Sequence, residues 1–154
     1  ENSVSQILDG PWEIALREEG IDTTFKTVQR NVPGSGLKSV NGPDAYPHFS
    51  GTIRYTADFE IKDVFDLDRV CVIDLSGIHD GASVRINGCE AGILLGTPYR
   101  VSAGSFLRTG QNTIEIETVN TLTWRVHDGQ STHMQMNPTG MVKAPVLHGV
   151  MRRE

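Results

Sequence analysis

The sequence of 154 residues has few cysteines, no long apolar run and no excess of basic side chains. Its two cysteines, Cys71 and Cys89, are too few for the disulfide framework of a small secreted domain. We interpret them as a buried strand thiol and a turn thiol, with a bridge between neighbouring strands left open. No apolar run approaches the roughly 20 residues of a membrane-spanning helix, which argues against an integral membrane protein. The 14 basic and 19 acidic residues give a net charge of -5, so the chain lacks the clustered positive charge that nucleic-acid binding needs.

Glycine is abundant, with 16 residues, and apolar residues alternate with polar ones through much of the chain. In segment 51–61 one face carries five apolar side chains: Ile53, Tyr55, Ala57, Phe59 and Ile61. Such alternation is typical of an antiparallel strand with one buried face. Trp12 alternates with Ile14 and Leu16 in the same way, so Trp12 is predicted to lie in the core.

Further short strands follow at regular spacing, and no helical period extends over ten or more residues. Strands are predicted at 69–75, 82–86, 90–95, 99–103, 112–119 and 145–151. The dipeptide Asn87-Gly88 predicts a tight hairpin turn, because both central residues of that turn need positive φ. Short strands separated by turns indicate a β-sandwich or barrel, here one domain over residues 1–154. Two long stretches, 30–49 and 120–144, do not fit regular strands and are predicted to be functional loops or disordered segments.

Three segments between residues 50 and 120 share a pattern: SGTIRYTADFEI, VCVIDLSGIHDGASVRINGCEAG and GTPYRVSAGSFLRTGQNTIEIETVN. Its positions are Gly51, Tyr55, Phe59, Gly77, Ala82, Val84, Asn87, Gly88, Gly92, Pro98, Tyr99, Leu107, Gly110 and Asn112. The pattern resembles the galactose-binding-like domain of glycoside hydrolases. It is similar to the sugar-binding domain of the β-galactosidase and β-glucuronidase family and to the terminal β-sandwich of α-L-rhamnosidase-like enzymes. The resemblance implies an all-β fold, an antiparallel jelly-roll β-sandwich that is a fragment of a larger glycoside hydrolase.

The resemblance implies a non-catalytic accessory domain, because in such enzymes the paired catalytic carboxylates come from a separate domain. Outward carboxylates such as Asp58, Glu60, Glu115 and Glu117 are interpreted as a solvated face. The implied partners are a carbohydrate (an oligosaccharide, or a plant or host glycan) and the neighbouring catalytic domain. One alternative is a structural module that packs on the catalytic domain without binding sugar. Another is a free-standing hydrolase, which the missing carboxylate pair disfavours.

No cofactor is expected from the sequence. The acidic loop with Asp63, Asp66 and Asp68 departs from the Asp-x-Asp-x-Asp-Gly calcium pattern. The resemblance nevertheless leaves a structural calcium ion open, since galactose-binding-like domains often hold one. Bacterial enzymes of this kind are usually periplasmic or secreted.

Strand alternation predicts where a ligand would bind. Antiparallel strands alternate in direction, so the segment before Gly51 and the loops at 76–81, 96–99 and 120–140 share one end, which we call the near pole. The loops at 62–69 and 104–111 and the turn at 87–88 share the opposite end, the far pole. The near pole collects His48, His79, Asp80, Tyr99, Arg100, Trp124, Arg125, His127 and Asp128.

Sugar recognition uses an aromatic face for stacking and polar groups for hydroxyls, and the near pole supplies both. The predicted ligand-binding residues are Trp124, Arg125, Tyr99, Arg100, His79, Asp80, His127 and His48. Within this set, Trp124-Arg125 is the strongest candidate for contacting a sugar. The alternative for Trp124 is that it caps the core or packs on a neighbouring domain.

Overall fold

The computed structural model describes residues 3–18, 24–40, 51–62, 64–78, 81–95, 98–119 and 140–152. These residues form β1 (Ser3–Ile7), β2 (Trp12–Glu18), β3 (Lys26–Val32), β4 (Gly51–Ile61), β5 (Val72–Asp74), β6 (Ala82–Ile86), β7 (Cys89–Leu94), β8 (Arg100–Ser102), β9 (Gly110–Val119) and β10 (Val146–Val150). A short 3-10 turn, Gly34–Gly36, follows β3. No helix in these ranges is long and apolar enough to cross a bilayer.

The strands form two antiparallel sheets. One has four strands in the order β1-β10-β5-β8, and the other has six in the order β3-β2-β4-β9-β6-β7. The predicted antiparallel β-sandwich is therefore confirmed. Strands β1 and β3 were not predicted, and β5 is shorter than the predicted strand at 69–75.

The core lies between the two sheets and is built from the inward positions of alternating strands. Ile53 and Tyr55 on β4 are fully buried, as are Ile114 and Ile116 on β9. Trp12 is fully buried as predicted, and its Nε1 donates a hydrogen bond to the carbonyl oxygen of Leu8 at 3.1 Å. That bond satisfies the one polar atom of the indole, as burial of a tryptophan requires.

The strand register confirms the predicted directions of the described strands. Thr118 on β9 lies opposite both Ile53 on β4 and Ala82 on β6, so β4 and β6 run in the same direction. Three backbone hydrogen bonds then join loops of the near pole: Leu75 N to Tyr99 O at 2.7 Å, Val119 N to Gly81 O at 3.2 Å, and Val142 N to Gly77 O at 3.1 Å. The near pole is therefore a real cluster of loops in the described part of the chain.

Candidate functional site

Two of the predicted ligand-binding residues, Tyr99 and Arg100, lie in the described part of the chain, at the near pole where strand alternation places them. The others lie outside the described residues: His48, His79, Asp80, Trp124, Arg125 and His127. Their placement in the near pole stays a prediction.

Arg100 presents a largely exposed guanidinium that Asp74 orients. Its Nε lies 3.4 Å from Asp74 Oδ2, and its side chain is 63% exposed. The other oxygen, Asp74 Oδ1, accepts a hydrogen bond from the backbone nitrogen of Ser76 at 2.9 Å. An exposed pair of this kind adds little stability, so its effect is to hold the guanidinium in position. Tyr99 is half-buried against the core, so only part of its ring faces solvent.

The chain segment at 140–142 is anchored in the core. The backbone nitrogen of the fully buried Met141 donates to the hydroxyl of Tyr55 at 2.8 Å. Gly140 has φ +87°, a conformation that glycine adopts without strain, and a Cβ there would collide with the Tyr55 hydroxyl. The sequence placed Tyr55 inward, but its hydrogen bond to a residue 86 positions away has no sequence signal.

One polar atom is buried beneath the near pole without a partner among the described residues. The hydroxyl oxygen of Thr118 is inaccessible to solvent, and Thr118 is fully buried at the end of β9. Buried hydroxyls are normally hydrogen-bonded. The Thr118 hydroxyl is therefore a buried polar group beneath the near-pole loops that lacks a partner among the described residues.

A large cleft in the described part of the chain lies at the opposite end of the sandwich. It has a volume of about 880 Å³ at the far pole, between the loop at 65–71, the loop at 104–109 and Arg152. A shallower groove of about 440 Å³ lies on the outer face of the four-stranded sheet, where Arg100, His148 and Val72 line it. The sequence predicts no role for the far pole.

A network of buried amides fixes the loop at 104–109. Asn112 is 1% exposed, and its Oδ1 accepts from Arg108 N at 3.0 Å and from Asn87 Nδ2 at 2.9 Å. Its Nδ2 donates to the carbonyl oxygens of Arg108 and Gly110 at 2.8 and 3.0 Å. Asn87 also donates to the carbonyl of Phe106 at 2.9 Å. Asn87 and Asn112 therefore position the loop rather than contact a ligand.

Both cysteines are free, which excludes a bridge between them; Cys71 is buried as predicted, just before β5, while Cys89 is exposed and is the first residue of β7 rather than part of the turn. Burial raises the pKa of the Cys71 thiol above its ordinary value, and the nearby carboxylate of Asp66 raises it further. Both causes disfavour the thiolate, so Cys71 is a poor nucleophile and metal ligand.

The calcium alternative stays a prediction. Asp63 lies outside the described residues, and Asp66 Oδ1 accepts a hydrogen bond from the backbone nitrogen of Asp68 at 3.1 Å. Within the described ranges, no three His, Cys, Asp or Glu side chains converge on one point. The two described carboxylates alone fall short of the about six to eight oxygen ligands that calcium takes.

Comparison with known proteins identifies longer chains that contain a similar segment. No protein-family model matches the chain. A protein from Formosa agariphila, described as a candidate beta-glucuronidase, is 30% identical over 115 residues, which are 74% of this chain and 10% of that protein. A rhamnosidase from Novosphingobium sp. PP1Y has a TM-score of 0.74 and 22% identity over 96% of this chain. A β-D-glucuronidase from Dictyoglomus thermophilum has a TM-score of 0.62 and 20% identity over 97% of this chain.

The chain spans a small part of each relative, 15% of the rhamnosidase chain and 28% of the glucuronidase chain. The similarity therefore covers a single segment of each protein. At 22% and 20% identity, the two solved structures show a shared fold. The resemblance found in the sequence motifs is confirmed: the chain has the fold of a β-sandwich segment that occurs within longer glycoside hydrolase chains.

Proposed function

We propose that residues 1–154 form an accessory domain of a glycoside hydrolase, a jelly-roll sandwich of the galactose-binding type whose near pole binds carbohydrate. The observation that carries the proposal is the match of nearly the whole chain to 15% of a rhamnosidase chain and 28% of a glucuronidase chain. A chain that corresponds to so small a share of a hydrolase is expected to assist the catalytic domain.

The described carboxylates support a non-catalytic role. Glycoside hydrolysis needs two carboxyl groups that face each other across the scissile bond. Asp58 and Glu60 on β4 are exposed, and Glu115 and Glu117 on β9 are half-buried, all at outward positions of the six-stranded sheet. A row of carboxylates along a sheet does not enclose a sugar.

The near pole has the chemistry of a sugar site. The guanidinium of Arg100, held by Asp74, offers planar hydrogen-bond donors to sugar hydroxyls. The partly exposed ring of Tyr99 adds a small apolar surface beside it. Trp124, outside the described residues, is the proposed stacking platform, and Arg125, His127, His79, Asp80 and His48 are the proposed polar contacts around it.

The test is a calorimetric titration of the protein with a panel of neutral mono- and oligosaccharides. Trp124→Ala is expected to weaken the best ligand by about tenfold or more, since an aromatic platform contributes on the order of 1–3 kcal/mol. Arg30→Ala, on the edge strand β3 of the six-stranded sheet, is the matched surface control and should change the affinity less than about twofold. Loss of binding in both variants, or binding unchanged in Trp124→Ala, would count against the near-pole site.

A second function, packing against a neighbouring domain without binding sugar, is favoured by an exposed apolar patch. Ile93, Leu95 and Val119 are 61%, 86% and 56% exposed. Gly81 joins two of them: its carbonyl accepts from Val119 N at 3.2 Å, and a Cβ on it would lie 3.8 Å from Leu95 Cδ2. Clustered exposed apolar side chains mark interaction surfaces.

The patch is tested by its tendency to associate. If it is a packing surface, the protein self-associates at high concentration in analytical ultracentrifugation, and Leu95→Glu abolishes the association. A monomer at every concentration would remove the support for the packing function. Absence of any sugar binding together with association would favour it over the carbohydrate-binding function.

A further inference from the structure

The far-pole cleft and the groove on the four-stranded sheet are continuous. Val70 and Ser102 line both of them, so the floor passes from the loops at the far pole onto the outer face of β5, β8 and β10. We call the whole feature the outer groove. It ends at Arg100 on one side and at Arg108 on the other.

Arginines outnumber carboxylates by one in the part of the outer groove that lies at the far pole. Three arginines line this part, Arg69, Arg108 and Arg152, against two carboxylates, Asp66 and Asp68. The arginines come from different parts of the chain, and the fold brings them to one cleft. Arginine presents up to five donors in a planar fork that matches the oxygens of a carboxylate or sulfate.

Two of these arginines differ in how they are held. Arg108 Nε donates to the carbonyl oxygen of Gln111 at 3.2 Å, which orients its guanidinium. Arg69 is exposed and makes no hydrogen bond or ion pair through its side chain among the described residues. An unpaired guanidinium in a cleft is available to an anionic ligand.

Hydroxyl groups surround the arginines. Ser102, Ser105 and Thr109 line the same cleft and are exposed, and the carboxylates of Asp66 and Asp68 can accept hydrogen bonds from a ligand. Guanidinium groups beside hydroxyls and carboxylates suit a ligand that carries both a negative charge and several hydroxyl groups. A volume of about 880 Å³ is large enough for such a ligand of a few rings.

The walls of the cleft are fixed before any ligand binds. Arg152 N donates a hydrogen bond to Val64 O at 2.6 Å, and Asp66 N donates one to Val150 O at 2.9 Å. These two bonds connect the start of the loop at 65–71 with the end of the segment at 146–152. Gly104 packs closely against the loop at 65–71: a Cβ on this glycine would lie 3.2 Å from Leu67 O. A preformed site loses less conformational entropy on binding than one that must fold around its ligand.

We propose that the outer groove binds an acidic saccharide, whose carboxylate or sulfate contacts Arg69 and Arg108 at the far pole. The anchoring residues, Arg69 and Arg108, lie at the opposite pole from the site of the proposed function, and the two sites meet only at Arg100. The sugar rings of the bound saccharide would extend along the groove toward Arg100, over Val70 and Val72.

The experiment is calorimetric titration with three hexasaccharide probes: hexagalacturonate, a sulfated carrageenan hexamer and neutral cellohexaose. In low salt, at least one acidic hexamer is expected to bind with an affinity at least about tenfold higher than that of cellohexaose. Whichever acidic hexamer binds more tightly shows whether the site prefers a carboxylate or a sulfate. Arg69→Gln with Arg108→Gln should weaken its binding by about tenfold, since hydrogen bonds to charged groups have that effect. The control with the same charge change is Arg30→Gln with Arg85→Gln, two exposed positions on the six-stranded sheet.

The control pair should change the affinity by less than about twofold. If Arg108→Gln unfolds the loop, Arg69→Gln alone carries the test, because its side chain makes no described contact. Failure of both acidic hexamers to bind, or equal losses in the two variant pairs, would overturn the proposal.

Trp124→Ala separates this proposal from the near-pole site. It should leave the affinity for the acidic hexamer unchanged while it weakens neutral-sugar binding by about tenfold or more. An acidic hexamer that loses its binding in Trp124→Ala and keeps it in the Arg69 and Arg108 variants would bind at the near pole, which would overturn the outer groove and leave the proposed function standing.

Discussion

Replacing Asn112 by alanine should unfold the far pole first and destabilise the whole domain. Asn112 is 1% exposed and makes four hydrogen bonds: its oxygen accepts from Arg108 N and Asn87 Nδ2, and its nitrogen donates to the carbonyls of Arg108 and Gly110. No other side chain in this network bonds both backbone groups of Arg108. Alanine would remove all four bonds, and of the four partners Asn87 Nδ2 keeps another bond, to the carbonyl of Phe106.

The size of the effect follows from those four bonds. A protein hydrogen bond contributes about 1 kcal/mol net, and a buried group left without a partner costs roughly 1–3 kcal/mol. Because the loop is near the surface, water can replace part of the loss, so we expect about 4 kcal/mol in the free energy of unfolding. A domain of this length should then melt roughly 10 °C lower.

The assay is urea unfolding followed by tryptophan fluorescence, with thermal unfolding as a second measurement. Gln111→Ala is the control, because Gln111 is exposed and its backbone carbonyl still accepts from Arg108 Nε. Asn112→Asp keeps the accepting oxygen but places a carboxylate oxygen against the carbonyls of Arg108 and Gly110, and this repulsion should bring its loss near that of the alanine variant. A loss below about 1 kcal/mol for Asn112→Ala would refute the view that the amide network holds the loop.

Three further predictions concern the near pole and the buried thiol. Tyr55→Phe should cost about 1–3 kcal/mol, measured by urea unfolding, because Met141 N loses its acceptor inside the core. Thr118→Val should leave stability unchanged or raise it, because an unpartnered hydroxyl is replaced by a methyl group; a clear loss would reveal a partner. The raised pKa of Cys71 means that the unfolded chain loses its thiol proton first, so thermal stability should fall as the pH rises above 9.0, and Cys71→Ala should flatten that fall.

The central strands could be predicted from the sequence because each has one fully buried face. On β4 the buried and partly exposed residues alternate without a break through Ala57, which gives a period of two. Strand β3, by contrast, is exposed at most positions, and β1 alternates only between exposed and half-buried positions. Both lie at the edge of a sheet, where packing leaves no apolar period to detect.

The near pole could be predicted because strand direction follows from counting strands. Arg100 and Asp74 lie at adjacent strand ends, as that counting requires. The outer groove could not be predicted, because Arg69, Arg108 and Arg152 are far apart in the chain and one of its loops, 104–109, is positioned by side-chain amides. The sequence predicts a turn at Asn87, and the structure adds that its amide bonds to Asn112.

Backbone amide chemical shifts can locate the carbohydrate site that we propose at the near pole. In a titration with the best neutral oligosaccharide, the amides of Tyr99 and Arg100 should shift, while those of Asn87 and Thr113 at the far pole should not. Shifts confined to Asn87 and Thr113, or no shift at any amide with the whole saccharide panel, would rule out the near-pole site.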